Sequence, residues 1–120
     1  MTVTIYHNPN CSTSRNVLKA LSEGGYEPQV IEYLKTPPTR AKLKELLASM
    51  GMSVRYILGR NGTPFEELGL DDASLSDDAL FDAIDKHPIL IQRPIVVTEK
   101  GTRLCRPADR VNEVLDRPVM

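Results

Sequence analysis

Hydrophobic and polar positions alternate from Thr2 to Tyr6, and the β-prone residues there predict a strand. His7 to Asn10 reads as a turn-forming loop. The period then changes. From Ser12 to about Glu23, Val17, Leu18 and Leu21 fall on one helical face, and Gly24-Gly25 ends the helix. Gln29 to Leu34 predicts a second strand. Together these pieces form a β-α-β unit of about thirty residues, which implies parallel strands joined by a right-handed crossover.

Thr36-Pro37-Pro38-Thr39 breaks the pattern. Thr39 is placed to cap a helix from Arg40 to Met50, with Leu43, Leu46 and Leu47 inward and Gly51 as the stop. Ser53 is a candidate cap for a short helix through Leu58, and Pro64 suits the first position of another. Ser76-Asp77-Asp78 opens a helix with acids at its positive end; Leu80, Phe81 and Ile84 face inward, and His87-Pro88 ends it. Ile95 to Thr98 reads as a buried strand. Glu99-Lys100-Gly101 turns it back into Thr102 to Cys105, and Pro107 starts a terminal helix carrying Val111, Val114 and Leu115.

The resulting order is β-α-β, helices, β-β-α. It predicts an α/β fold with a four-stranded mixed sheet flanked by helices, and a helical insertion at about 36–88 between strands two and three. That order matches a thioredoxin-like fold. Such folds place a proline before the third strand; Pro94 fills that place, and a cis Arg93–Pro94 bond is expected.

At 120 residues the chain suits one domain, burying roughly two-thirds of its unfolded surface. Fifteen basic and 16 acidic side chains leave a net charge of −1, with no bias toward nucleic acid or an anionic membrane. The N-terminal residues lack the pattern of a signal peptide, and no apolar run approaches the ~20 residues of a membrane helix. Two distant cysteines, Cys11 and Cys105, make no disulfide framework, so a cytoplasmic location is expected; an oxidised bridge between them stays open at this stage.

Cys11 carries the chemical signal. It lies where the first strand gives way to the first helix, and free N–H groups there favour a thiolate, the nucleophilic form of sulfur. His7, Ser14 and Arg15 flank it. A protonated His7 near the sulfur would lower the thiol pKa, and Ser14 could donate a hydrogen bond to the thiolate. Ser14 also occupies the position where dithiol oxidoreductases carry a second cysteine, so the other sulfur must come from another molecule, glutathione being the cytosolic donor. A C-x5-R oxyanion loop would need arginine at position 17, where Val17 stands. Arg93, beside the expected cis-proline, and Arg106, after the last strand, are candidates for binding an oxyanion through the planar guanidinium fork. The histidines and cysteines show no zinc spacing, and Cys105 reads as an apolar strand-end residue.

Ile-Tyr-His-Asn-Pro-x-Cys-x-Thr-Ser-Arg, Tyr-Leu-x-Thr-Pro-Pro-Thr-Arg, Phe-Glu-Glu-Leu-Gly-Leu, His-Pro-Ile-Leu-Ile-x-Arg-Pro-Ile-Val-Val-Thr and Gly-Thr-Arg-Leu-Cys-Arg-Pro follow one another along the chain. In these motifs, from about Thr2 to Leu115, the sequence resembles the glutaredoxin-coupled arsenate reductases of the ArsC type. The resemblance implies the thioredoxin-like fold with a helical insertion. It implies that Cys11 attacks arsenate, that glutathione adds to arsenic as co-substrate, and that glutaredoxin supplies electrons to release arsenite. His7 and Ser14 match residues that lower the nucleophile's pKa; Arg93 and Arg106 match two oxyanion-holding arginines. The family's third arginine falls at Gly59 here, and Arg60 follows it, so Arg60 is the candidate replacement. No bound cofactor or metal is implied, and a monomer is expected.

Two other readings stand beside this one. A glutathione-dependent thiol oxidoreductase of the same superfamily that does not use arsenate fits Gly59. An Spx-type regulator of RNA polymerase shares the fold, but its Cys-x-x-Cys switch is broken here by Ser14.

Overall fold

The computed structural model describes residues 1–120. Strand β1 (Thr4–His7) leads into helix α1 (Ser12–Glu23), and β2 (Gln29–Glu32) follows. Helices α2 (Arg40–Met50) and α3 (Asp77–Lys86) come next, with 3-10 turns at Val54–Ile57 and Pro88–Leu90. Strands β3 (Ile95–Thr98) and β4 (Gly101–Leu104) precede a last 3-10 stretch, Ala108–Val114. The four strands lie in the order β2-β1-β3-β4. β1 and β2 are parallel, while β3 runs antiparallel to both β1 and β4. This is the mixed, thioredoxin-like sheet that the element order implies.

The chain divides into two compact units, one formed by Met1–Thr36 with Arg93–Met120 and the other by Pro37–Gln92. In the first, the inward faces of β1, β3 and α1 and the terminal 3-10 stretch close over one apolar cluster that includes Ile5, Val17, Leu21, Val96, Val111 and Val114. Val17 and Leu21 lie one helical turn apart, so α1 presents them together. In the second unit, Leu43, Leu46 and Leu47 of α2 and Leu80, Phe81 and Ile84 of α3 are buried as their spacing predicts. Thr39 accepts a hydrogen bond from the Lys42 N–H, and Ser76 accepts one from Ala79. Gly51 closes α2 at φ 63°, a left-handed conformation that glycine adopts without a steric penalty.

The structure corrects the sequence reading at several points. Ser53 precedes only a 3-10 turn, and its side chain caps nothing. Pro64 opens turns rather than a helix. After Pro107 the chain winds as 3-10 rather than α, because Val111, Val114 and Leu115 are drawn into the core within a stretch only seven residues long. The second strand stops at Glu32, where Lys35 and Thr36 N–H groups bond back to the Glu32 carbonyl and turn the chain. Arg93–Pro94 is cis as expected, and Arg106–Pro107 is cis as well.

Candidate functional site

Strand register assembles the site. His7 pairs with Glu32 at the ends of β1 and β2, and Asn8 and Tyr33 are the residues that follow directly. Tyr6 pairs with Ile95 and Ile95 with Leu104, so two steps back on β3 Arg93 falls beside Asn8 and Arg106. The Cys105 N–H donates to the Pro94 carbonyl at 2.9 Å, and Arg106 Nη1 donates to the Arg93 carbonyl at 3.1 Å, which carries the β3–β4 pairing past the strand ends. Tyr33, Asn8, Arg93 and Arg106 thus form a row across one end of the sheet. The Asn8 and Arg93 side chains both reach the Tyr33 phenol, and Arg106 holds the Arg93 carbonyl, so contacts join the row.

Cys11 stands at this end as the N-cap residue of α1. Its N–H donates to the Asn8 carbonyl at 3.1 Å, and its carbonyl accepts the Arg15 N–H at 3.0 Å, so the helix begins with the sulfur at its positive pole. The sulfur closes no regular capping bond. The N–H groups of Ser14 and Thr13 act on it as oriented dipoles. Burial alone would push this thiol up. The Ser14 N–H, the hydrogen bond and charge of the Arg93 guanidinium, and the Thr13 N–H outweigh it, and the Cys11 pKa falls below that of an ordinary cysteine. Arg106 Nη1 lies 3.9 Å from the sulfur and adds a second cation.

His7 and Ser14 reach the site in another way than their charges suggest. His7 Nδ1 lies 2.6 Å from Ser14 Oγ, and both residues are buried. Burial lowers the His7 pKa; Glu32 opposes this and Arg15 adds to it, so the imidazole is neutral at neutral pH. Burial thus works against the protonated His7 expected beside the sulfur, more strongly than the Glu32 charge favours it. The Ser14 hydroxyl faces His7 and accepts the Asn8 N–H at 3.1 Å, so it is the backbone N–H of Ser14 that reaches toward the sulfur. Arg15 turns away and donates to the Pro9 carbonyl at 2.9 Å.

In the second unit, the Arg60 guanidinium lies over the Phe65 ring, 4.4 Å from its centre, and pairs with Glu66 at 3.5 Å. Cys105 is fully buried, and desolvation raises its thiol pKa to about 12, so it stays protonated and inert. Both cysteines are free, and the bridge left open by the sequence is not formed. No three or more His, Cys, Asp or Glu residues gather to hold a metal ion, and no helix is long and apolar enough to cross a membrane.

Sequence reasoning missed Asn8 and Tyr33. Asn8 is buried: its N–H meets Ser14, its carbonyl holds the Cys11 N–H, and its Oδ1 accepts the Asn10 N–H at 2.9 Å. Tyr33 is fully buried, and its phenol oxygen accepts hydrogen bonds from the Asn8 and Arg93 side chains. Neither carries a local signal of its own; both reach the site because they follow directly on the neighbouring strands β1 and β2.

A thioredoxin-like sheet with one thiol of lowered pKa at a helix N-terminus, beside two guanidinium groups and with no second cysteine at the site, defines a single-thiol active centre. A model of the ArsC family matches residues 6–114. The chain is 56% identical over 115 residues to the arsenate reductase of Rhizobium meliloti (strain 1021), covering 96% of this chain and 82% of that one. It is 57% identical over 113 residues to the arsenate reductase of Escherichia coli (strain K12), covering 94% and 80%. A solved structure named as arsenate reductase from Vibrio cholerae superposes with a TM-score of 0.89 at 47% identity, covering 96% of this chain and 98% of that one. The chain belongs to the ArsC family.

Proposed function

We propose that the protein reduces arsenate to arsenite, with Cys11 as nucleophile. The observation that carries this reading is the Cys11 sulfur held at the start of α1 with Arg93 and Arg106 beside it. Arsenate is an anion at neutral pH, so a thiolate approaching it meets like-charge repulsion. Guanidinium groups and helix N–H groups offset that repulsion, and a preorganised site does so without reorganising during the reaction. The Cys11 thiolate attacks arsenic, an S–As bond forms as an As–O bond breaks, and the arsenate hydroxyl leaves as water after taking a proton from solvent. Reduction then takes two electrons: two thiols become one disulfide as As(V) becomes As(III), and water then cleaves the S–As bond, releasing arsenite and restoring the Cys11 thiol. With Ser14 where a second cysteine would stand, those thiols come from other molecules, glutathione and glutaredoxin. Two unlinked cysteines suit a reducing compartment such as the cytoplasm.

Arg93 and Arg106 bind the arsenate oxygens; His7 and Ser14 fix the loop that carries Cys11. Arg60 is the proposed third cation. The protein works as a monomer.

The test is arsenate-dependent NADPH oxidation in the presence of glutathione, glutaredoxin and glutathione reductase. Turnover is expected, and Cys11→Ser abolishes it. Reduction of glutathione-mixed disulfides with none of arsenate would instead establish the thiol oxidoreductase reading.

A further inference from the structure

We propose that Tyr33 is a positioning residue that locks the Arg93 guanidinium against the Cys11 sulfur, with Asn8 as the pin between the two. Three observations meet in it. Tyr33, Asn8 and Arg93 lie one or two residues beyond the ends of the neighbouring strands β2, β1 and β3. Tyr33 is fully buried and Asn8 nearly so, so neither side chain has water as an alternative partner. And Asn8 is committed on its other atoms: to Ser14 through its N–H, to Cys11 through its carbonyl and to Asn10 through Oδ1.

The consequence concerns entropy and charge. Arginine carries a long, rotamer-rich side chain, and a guanidinium left to wander would spend little time beside a sulfur that has only a diffuse negative charge. A buried phenol oxygen accepting one of its N–H groups fixes the plane of the fork and leaves the remaining donors for the sulfur and an oxyanion. Burial holds the phenol protonated at neutral pH, so Tyr33 adds no negative charge of its own to the site. Asn8 makes the arrangement a unit: the same residue that accepts the Cys11 N–H also donates its amide to the phenol. The loop bearing the nucleophile and the arginine bearing the charge are thereby held to one reference point.

This inference rests on the reading of Cys11 as an ionised nucleophile, and its primary readout needs no arsenate. The Cys11 thiol is titrated through the pH dependence of its alkylation by iodoacetamide, in the intact protein and in Tyr33→Phe, Arg93→Ala and the double variant. Phenylalanine keeps the ring and its packing and removes only the oxygen. The midpoint is expected to move upward in Tyr33→Phe and in Arg93→Ala, and the double variant is expected to titrate like Arg93→Ala alone, because Tyr33 acts through Arg93. In the arsenate assay Tyr33→Phe is expected to lose about tenfold in kcat/KM, the scale of one hydrogen bond to a charged group. A Tyr33→Phe protein with a lowered melting temperature and an unmoved midpoint would show the phenol to be structural only and overturn the proposal. So would a further upward shift on adding Tyr33→Phe to Arg93→Ala. Absence of arsenate turnover in the unaltered protein, with the midpoints shifting as described, would overturn the substrate and leave the positioning role intact.

Discussion

A buried histidine that stays neutral changes what acid does to this protein. His7 is held with its pKa below the ordinary 6.5, first by burial and then by Arg15, against the pull of Glu32. The unfolded chain therefore binds a proton at His7 at a higher pH than the folded chain does. Its contribution to stability is present above the ordinary value and is lost as pH falls through the folded value. Replacing it by His7→Gln keeps an amide near Ser14 and removes the titration. The stability gap between the two proteins is expected to shrink as pH is lowered from about 7.5 to about 5, measured by denaturant unfolding. A gap that stays constant over that range would mean that folding leaves the His7 pKa unchanged, and a gap that widens would mean that His7 is charged in the folded state. The same residue shows where sequence reading stops. His7 lies four positions before Cys11, which says that it is near the sulfur but not that Ser14 intervenes and that desolvation removes its charge.

At the scale of elements, the sequence was most legible where a local rule and the core agreed. Thr39 and Ser76 each accept the N–H three residues on, and each opens a helix whose leucines are buried at the spacing that predicts them. Ser53 has the same chemistry, yet only four residues follow before the chain extends, too few to repay nucleation of an α-helix. The stretch after Pro107 shows the same limit from the other side: its apolar residues are buried as expected, but packing and length select the tighter winding. These contrasts set a measurable ranking. Thr39→Ala and Ser76→Ala are each expected to cost about 1 kcal/mol of stability. Ser53→Ala, which removes no capping bond, is expected to lie within about 0.5 kcal/mol of the parent. Equal losses at all three positions in denaturant melts would contradict the assignment of the caps.

Across the molecule, the residues that make the site come from four separated stretches of sequence and meet because the sheet is in register. Cys11, Arg93 and Arg106 could be picked out by their chemistry and by their places at element ends; Tyr33 and Asn8 could not, since neither stands out until strands β2, β1 and β3 are set side by side. The core and the site thus share one scaffold but answer to different forces. Leu21 sits in the apolar cluster of the first unit, on the second half of α1, more than two turns from the sulfur. Leu21→Ala is expected to cost about 2–5 kcal/mol through lost burial and the cavity left behind. It is expected to leave the Cys11 titration midpoint unchanged at temperatures where the variant remains folded, because the charges and N–H groups that set that midpoint lie at the other end of the helix. Alkylation profiles taken below the onset of melting decide the matter. If trimming Leu21 raised the thiol's midpoint, the start of α1 would owe its position to the core behind it rather than to the bonds that Asn8, Ser14 and Arg93 make around the sulfur.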